Sequence, residues 1–205
     1  MQPRGRPITL TDDDLLDAAR EVFLARGLDA TASEIARKVH ISPSVIFHRY
    51  KSKEALFSAV YERQLSVPAP FARLARAAGT GEIADNLLTA GMSLVELTQG
   101  ALPFMMMACS SDRMNVFTRH VRTHHPLRKK LIAILTRYFE TETRRGRLRD
   151  VDGELVARTF FGGIIHYVMA EYVERSADPM GAPAYLRGLI DLLLRGSLAH
   201  GRGRG

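Results

Sequence analysis

The chain has a single cysteine, Cys109, and no tryptophan among its 205 residues. One thiol excludes an intrachain disulfide and agrees with a reducing compartment. Beside Met105 to Met107, Cys109 reads as a small buried side chain rather than a redox sensor. No apolar run approaches the roughly 20 residues a bilayer-spanning helix needs, and the N-terminus lacks a signal-peptide core, so a cytoplasmic location is expected. From Glu82 onward hairpin signals, strict alternation and internal repeats are all absent, which leaves helical periodicity. No Ser-His-Asp or Cys-His arrangement, phosphate-cradling glycine loop or carboxylate pair is recognisable, so catalysis is not expected. His120 and His124 have zinc-compatible spacing, with His125 adjacent, but no cysteine or carboxylate cluster completes a site. Neither metal nor cofactor is expected.

What the chain has in excess is positive charge: a formal +7 and a pI near 9.9. That favours a polyanionic partner, although charge alone does not separate nucleic acid from a membrane surface. From Ile35 to Lys53 the basic residues Arg37, Lys38, Arg49, Lys51 and Lys53 occur without one Asp or Glu. The same stretch carries helix punctuation. Thr31 with Glu34 forms a capping box, and Ile35, Ala36 and Val39 give the ensuing helix one apolar face. His40 and Ile41 make a turn, Ser42 is an N-cap, and Pro43 occupies the first helical position, where a missing N–H costs nothing. A second helix runs to about Tyr50, with Ile46, Phe47 and Tyr50 on one side and Pro43, Ser44, Val45, His48 and Arg49 facing outward. Ser52 caps the next helix. Such a pair offers its second helix to the DNA major groove while nearby cations and helix N-termini hold phosphates. The plainer alternative is a helical hairpin with a solvated basic face.

Ile35-Ala36, Ile41-Ser42, Ser52-Lys53-Glu54 and Leu56, preceded by Ala18, Ala19, Phe23 and Gly27, resemble in order and spacing the TetR family of bacterial helix-turn-helix regulators. The resemblance covers roughly residues 10 to 65. Three positions depart from the family pattern: His40 replaces a turn glycine, Ser44 a small Gly or Ala, and Phe47 a tyrosine whose hydroxyl commonly touches a phosphate. His40 is then expected in a left-handed conformation. The resemblance implies base-edge contacts from Ser44, Val45 and Arg49 with Pro43 close by, Val45 offering methyl groups to thymine. It implies phosphate contacts from Thr31, His48, Lys53 and the amides after Ser52.

Along the chain, residues 1–10 form a basic arm. Pro3-Arg4-Gly5-Arg6-Pro7 is like an AT-hook core, whose Arg4 and Arg6 can lie along a narrow A·T-rich minor groove. Thr11 begins a helix whose Leu15, Ala19, Val22 and Phe23 share a face; its acidic residues read as capping and solvation. After Ser52 a linking helix carries Leu56, Phe57, Val60, Tyr61 and Leu65, and Pro68 to Gly81 is a boundary of unassigned structure. Further helices are predicted near 82–98, 101–111, 113–123, 126–145, 153–174 and 183–198, with Pro126 and Pro183 as first-turn residues and Gly146 as a stop. The expected fold is all-α: an arm (1–10), a three-helix DNA-binding domain with the start of the linking helix (11–67), and a larger helical ligand-binding and dimerisation domain (68–205).

Residues 155–169 are apolar on nearly every side, and the final helix has a broad apolar face, more than a monomer covers readily. A two-fold four-helix interface using Phe161, Ile165, Leu186, Leu189, Ile190 and Leu193 would bury both, giving a homodimer suited to a palindromic operator. Met92, Phe104, Met105, Met107, Phe117, Tyr138, Phe160 and His166 are candidates to line an effector cavity; ordinary core packing is the alternative, for His166 above all. Between Asp112 and Arg149 eleven Lys or Arg face three Asp or Glu. This marks either a solvated surface or a site for an anionic effector, with Arg119, Arg122, Arg128 or Lys129 at its mouth. The sequence thus points to a repressor that a small apolar or amphipathic effector releases from DNA. The rival is an architectural protein of A·T-rich DNA with no effector.

Overall fold

The computed structural model describes residues 11–110, 126–174 and 180–195, all helix, turn or loop, with no strand among them. The arm with Arg4 and Arg6, the helix predicted at 113–123 with Phe117, Arg119, His120 and Arg122, the following His124 and His125, and residues 196–198 lie outside the described residues.

α1 (Asp12–Arg26) starts at the N-cap Thr11, whose hydroxyl accepts from the Asp14 amide while the Asp14 carboxylate accepts from the Thr11 N–H at 3.0 Å. Gly27, at φ 60, ends it and leads into a single 3-10 turn, Gly27–Asp29. α2 (Ala32–Lys38), α3 (Pro43–Tyr50) and α4 (Lys53–Gln64) follow, each begun by the cap expected from sequence: Thr31, Ser42 and Ser52. Leu15, Phe23, Ile35, Ile46, Leu56, Phe57 and Val60 are buried together, and the Phe23 and Phe57 rings meet edge-on with centroids 5.1 Å apart. At ~1.5–3 kcal/mol for each large apolar side chain removed from water, this small core far outweighs the intrinsic propensity of the short α2 and α3.

α5 (Ala69–Ala77) lies where no element was assigned from sequence; Pro70 sits in its first turn, and Phe71 and Leu74, three apart, are buried. α6 (Ile83–Cys109) replaces the two helices predicted at 82–98 and 101–111. The helix runs on through Gly100 and Pro103, whose local cost is offset by burial of Ala101, Leu102, Phe104 and Ala108 on either side. By length and composition α6 is apolar enough to cross a bilayer, with a mean hydropathy of 1.2 over 18 residues, contrary to the expectation of no such run. Its Leu87, Leu94, Leu102 and Phe104 are nevertheless covered by protein, as in a core helix. α7 (Pro126–Arg144), α8 (Gly153–Glu174) and α9 (Ala182–Arg195) match the predicted helices closely.

Contacts divide the described residues into two units: 11–65 with 103–110, and 66–102 with 126–174 and 180–195. The end of α6 belongs to the first unit, where Phe104 lies 5.5 Å from Phe57, centroid to centroid. In the second unit α7 packs along α8, α5 against α7, and α9 against α8. A polar node lies inside it. Glu142, fully buried, accepts from the Gly79 amide at 2.7 Å and pairs with Arg147 at 3.3 Å, while the Asn86 side-chain amide donates to the Tyr138 hydroxyl at 3.2 Å. Burial pushes the Tyr138 phenol up to about 12, so it stays protonated at physiological pH. Gly79 takes φ 82 in this loop, which places its amide against Glu142.

Candidate nucleic-acid interface

The helix-turn-helix is built as its punctuation dictates. The Thr31 N–H donates to Glu34 Oε2 at 2.8 Å and the Glu34 N–H to the Thr31 hydroxyl at 3.2 Å, completing the capping box. These bonds, the Thr31 N–H first, hold the Glu34 carboxyl below its usual range. His40 adopts φ 55, the left-handed turn expected of it, and the Ile41 N–H reaches back to the Ala36 carbonyl at 3.0 Å. Ser42 accepts from the Ser44 amide at 3.3 Å and Pro43 opens α3.

Ile46 is the anchor of α3, 2% exposed, and around it Ser44, Val45, Phe47, His48 and Arg49 all face solvent, with Pro43 partly covered. The structure thus brings the predicted outward residues onto one continuous surface. Phe47 is a correction. Expected on the inner side with Ile46 and Tyr50, it is 49% exposed, because one step of 100° from Ile46 carries it off the buried line. Its ring therefore joins the surface that also bears Val45.

The cations are less free than the sequence implies. Lys38 pairs with Glu21 at 2.6 Å and Arg49 with Asp12 at 2.8 Å; Arg63 of α4 binds Asp13 and Asp17 at 3.4 and 3.0 Å. The acidic residues of α1, read from sequence as capping and solvation, supply partners to three other helices. Lys53, expected on phosphate, is partly buried and its Nζ donates to the Leu28 carbonyl at 2.6 Å, joining the start of α4 to the turn after α1. The Thr31 hydroxyl, also expected on phosphate, is engaged in its cap.

The predicted cavity residues are divided between the two units. Phe104, Met105 and Met107 belong to the first unit, whereas Met92, Tyr138 and Phe160 belong to the second. Phe104 is packed on Phe57, Met105 is exposed, Tyr138 is tied into the Glu142 node, and Phe160 is fully buried beside Gly91. His166, expected in a core or a pocket, is exposed, since the buried line of α8 runs through Ala157, Phe160, Ile164 and Val168. Cys109 is exposed as well, not the buried thiol expected.

Among the proposed interface residues, Phe161, Ile165, Leu189 and Leu193 are partly exposed. Leu186 and Ile190 are not available: both are buried within their own chain, with Leu186 seated against Gly91. Beyond that set the second unit exposes Leu155 at 62%, Tyr172 at 44%, Met180 at 47% and Leu192 at 52%; of these, Leu192 belongs to the broad apolar face expected of the final helix. On α8, Leu155 continues through Thr159, Gly162 and His166 at spacings of four and three, a helical stripe whose register the all-round apolar composition had concealed. The second unit also holds a groove of about 770 Å³ between α7 and α8, lined by Arg128, Lys129, Arg137, Arg144 and Arg158 against Glu140 and Glu154.

These features define an all-helical protein with an N-terminal helix-turn-helix and a larger helical second unit. Residues 15–60 match the profile of bacterial regulatory proteins of the tetR family. No curated protein matches the chain. Solved structures of similar fold include the TetR family regulator PfmR from Thermus thermophilus, 21% identical over 90% of this chain and 99% of that one, at a TM-score of 0.61. A TetR/AcrR family regulator from Thermobifida fusca is 22% identical over 91% and 98%, with a TM-score of 0.65. FadR from Bacillus subtilis, solved in complex with stearoyl-CoA, is 17% identical over 90% and 98%, with a TM-score of 0.62. Residues 15–60 are thus similar to the DNA-binding domain of the tetR family, and the chain shares the fold of solved TetR-family regulators.

Proposed function

We propose that this regulator is a cytoplasmic repressor that binds a palindromic operator as a homodimer and leaves it when an anionic or amphipathic small molecule binds. The observation that carries DNA reading is α3 itself: one buried anchor, Ile46, and an outward surface of Ser44, Val45, His48 and Arg49. Ser44 and Val45 lie in its first turn, the part of a reading helix that meets base edges first. Val45 offers methyl groups to thymine, and Arg49 offers paired donors to guanine. His48 and the amides that open α4 after Ser52 are the phosphate contacts, with Arg4 and Arg6 of the arm in an adjacent minor groove.

Two observations support the dimer and the effector class. Leu155 on α8 and Leu192 on α9 leave exposed apolar side chains that a second copy would bury, with Thr159, Gly162 and His166 exposed on the same face of α8 as Leu155. The basic groove between α7 and α8 suits an anionic head group, and a protein of similar fold, FadR from Bacillus subtilis, was solved with stearoyl-CoA. Long-chain acyl thioesters are therefore the first effector class to try. In vitro selection from random duplex DNA at physiological salt tests the reading: one enriched palindrome is expected, and anionic amphiphiles should then release the protein from it while neutral ones do not. Recovery of A·T-rich DNA without a palindrome would transfer the reading role to the arm and make the protein architectural.

A further inference from the structure

Arg49 is the one arginine on α3, and it does not project freely: its Nη1 donates to Asp12 Oδ1 at 2.8 Å. Asp12 is the first residue of α1, 37 positions away in sequence, and its own helix is capped without it by Thr11 and Asp14. Its carboxylate is therefore spare as far as α1 is concerned. The two side chains and Tyr50 line a niche of about 330 Å³ open to solvent. Arg49 is 36% and Asp12 70% exposed, so the pair adds little to stability. What it does is direct a donor set. A guanidinium has five N–H groups in a planar fork. Holding one N–H of Nη1 leaves Nε and Nη2 as a free edge with two parallel donors, the geometry that O6 and N7 of guanine accept.

We propose that Asp12 is a specificity-determining positioning residue, which aims the free edge of Arg49 at one base pair and keeps the guanidinium from swinging to a phosphate. The proposal rests on the assignment of α3 as the reading helix. Its physical basis is a competition. A carboxylate near DNA repels the phosphates, so Asp12 lowers affinity for every duplex. It raises discrimination, because an untethered arginine gains about as much from any phosphate, whatever the sequence, as from its base.

The two effects have opposite signs, and this makes the test sharp. Operator and single-base-substituted duplexes, taken from selection with the wild type, are titrated with full-length wild type, Asp12→Asn, Asp12→Glu and Arg49→Ala across a salt series. For Asp12→Asn, discrimination at the Arg49 base pair should fall about tenfold. Affinity for unrelated duplex should rise, and the salt slope should steepen by about one phosphate. Asp12→Glu, which restores a carboxylate, should recover part of the discrimination. A purely structural ion pair would move thermal stability and leave the discrimination ratio alone; that result for Asp12→Asn, with Arg49→Ala losing discrimination, overturns the proposal and leaves α3 as the reader. If Arg49→Ala also leaves the ratio unchanged, the assignment of Arg49 as a base contact fails with it.

Discussion

His40 stands in the left-handed region at φ 55, where the Cβ of an L-residue crowds the backbone. His40→Gly relieves that crowding but gives the unfolded chain more freedom to lose, so the expected net gain is about 0.5–1 kcal/mol, read from the urea midpoint. A variant less stable than wild type would mean that the imidazole makes contacts worth more than the strain. Lys53 tests a different point. Its bond to the Leu28 carbonyl means that Lys53→Ala should lower stability by about 1 kcal/mol and leave the salt slope of DNA binding little changed. Loss of DNA affinity at unchanged stability would make it a phosphate ligand and nothing more. Its place was only half legible: position in the family pattern suggested phosphate, while Leu28, 25 residues away, appears only in the fold.

Among the elements, α2 carries the clearest titration. The Glu34 carboxyl lies below its ordinary 4.5 because the Thr31 N–H and hydroxyl bond its charged form. A folded pKa below the unfolded one contributes stability that is complete above pH 4.5 and is lost as pH falls through the folded value. Glu34→Gln should therefore be less stable than wild type near neutral pH, with the difference shrinking to nothing in acid. A pH-independent difference would place the cap's strength in hydrogen-bond geometry rather than charge. The capping boxes and Pro43 could be read from sequence because a cap is a contact over three residues. α5 and the continuity of α6 could not. Gly100 and Pro103 carry a local cost to the helix, which burial of Leu102 and Phe104 on either side offsets.

For the whole molecule, the exposed apolar residues carry the expectation of a dimer. Leu192→Glu alters a side chain that is 52% exposed, so the fold should persist with its melting temperature little changed. Sedimentation should nevertheless give a monomer, and operator affinity should drop by at least ~100-fold as the two reading helices lose their linkage. A variant that remains dimeric would move the interface away from α9. Leu186→Glu would be uninformative by comparison, since Leu186 belongs to the core of its own unit beside Gly91 and Phe160.

By itself the sequence determined the helical class, the helix-turn-helix with its caps, and, Phe47 apart, the outward set on α3. All of these rest on relations within about ten residues, which composition and spacing record directly. The tertiary structure alone decided what the charges do and which apolar residues remain uncovered. Asp12 and Glu21 reach Arg49 and Lys38 across the first unit, Glu142 is buried in the second, and Leu186 turns inward while Leu155 and Leu192 turn outward. Ion pairing and burial depend on which faces meet, and faces distant in sequence meet only when the helices pack.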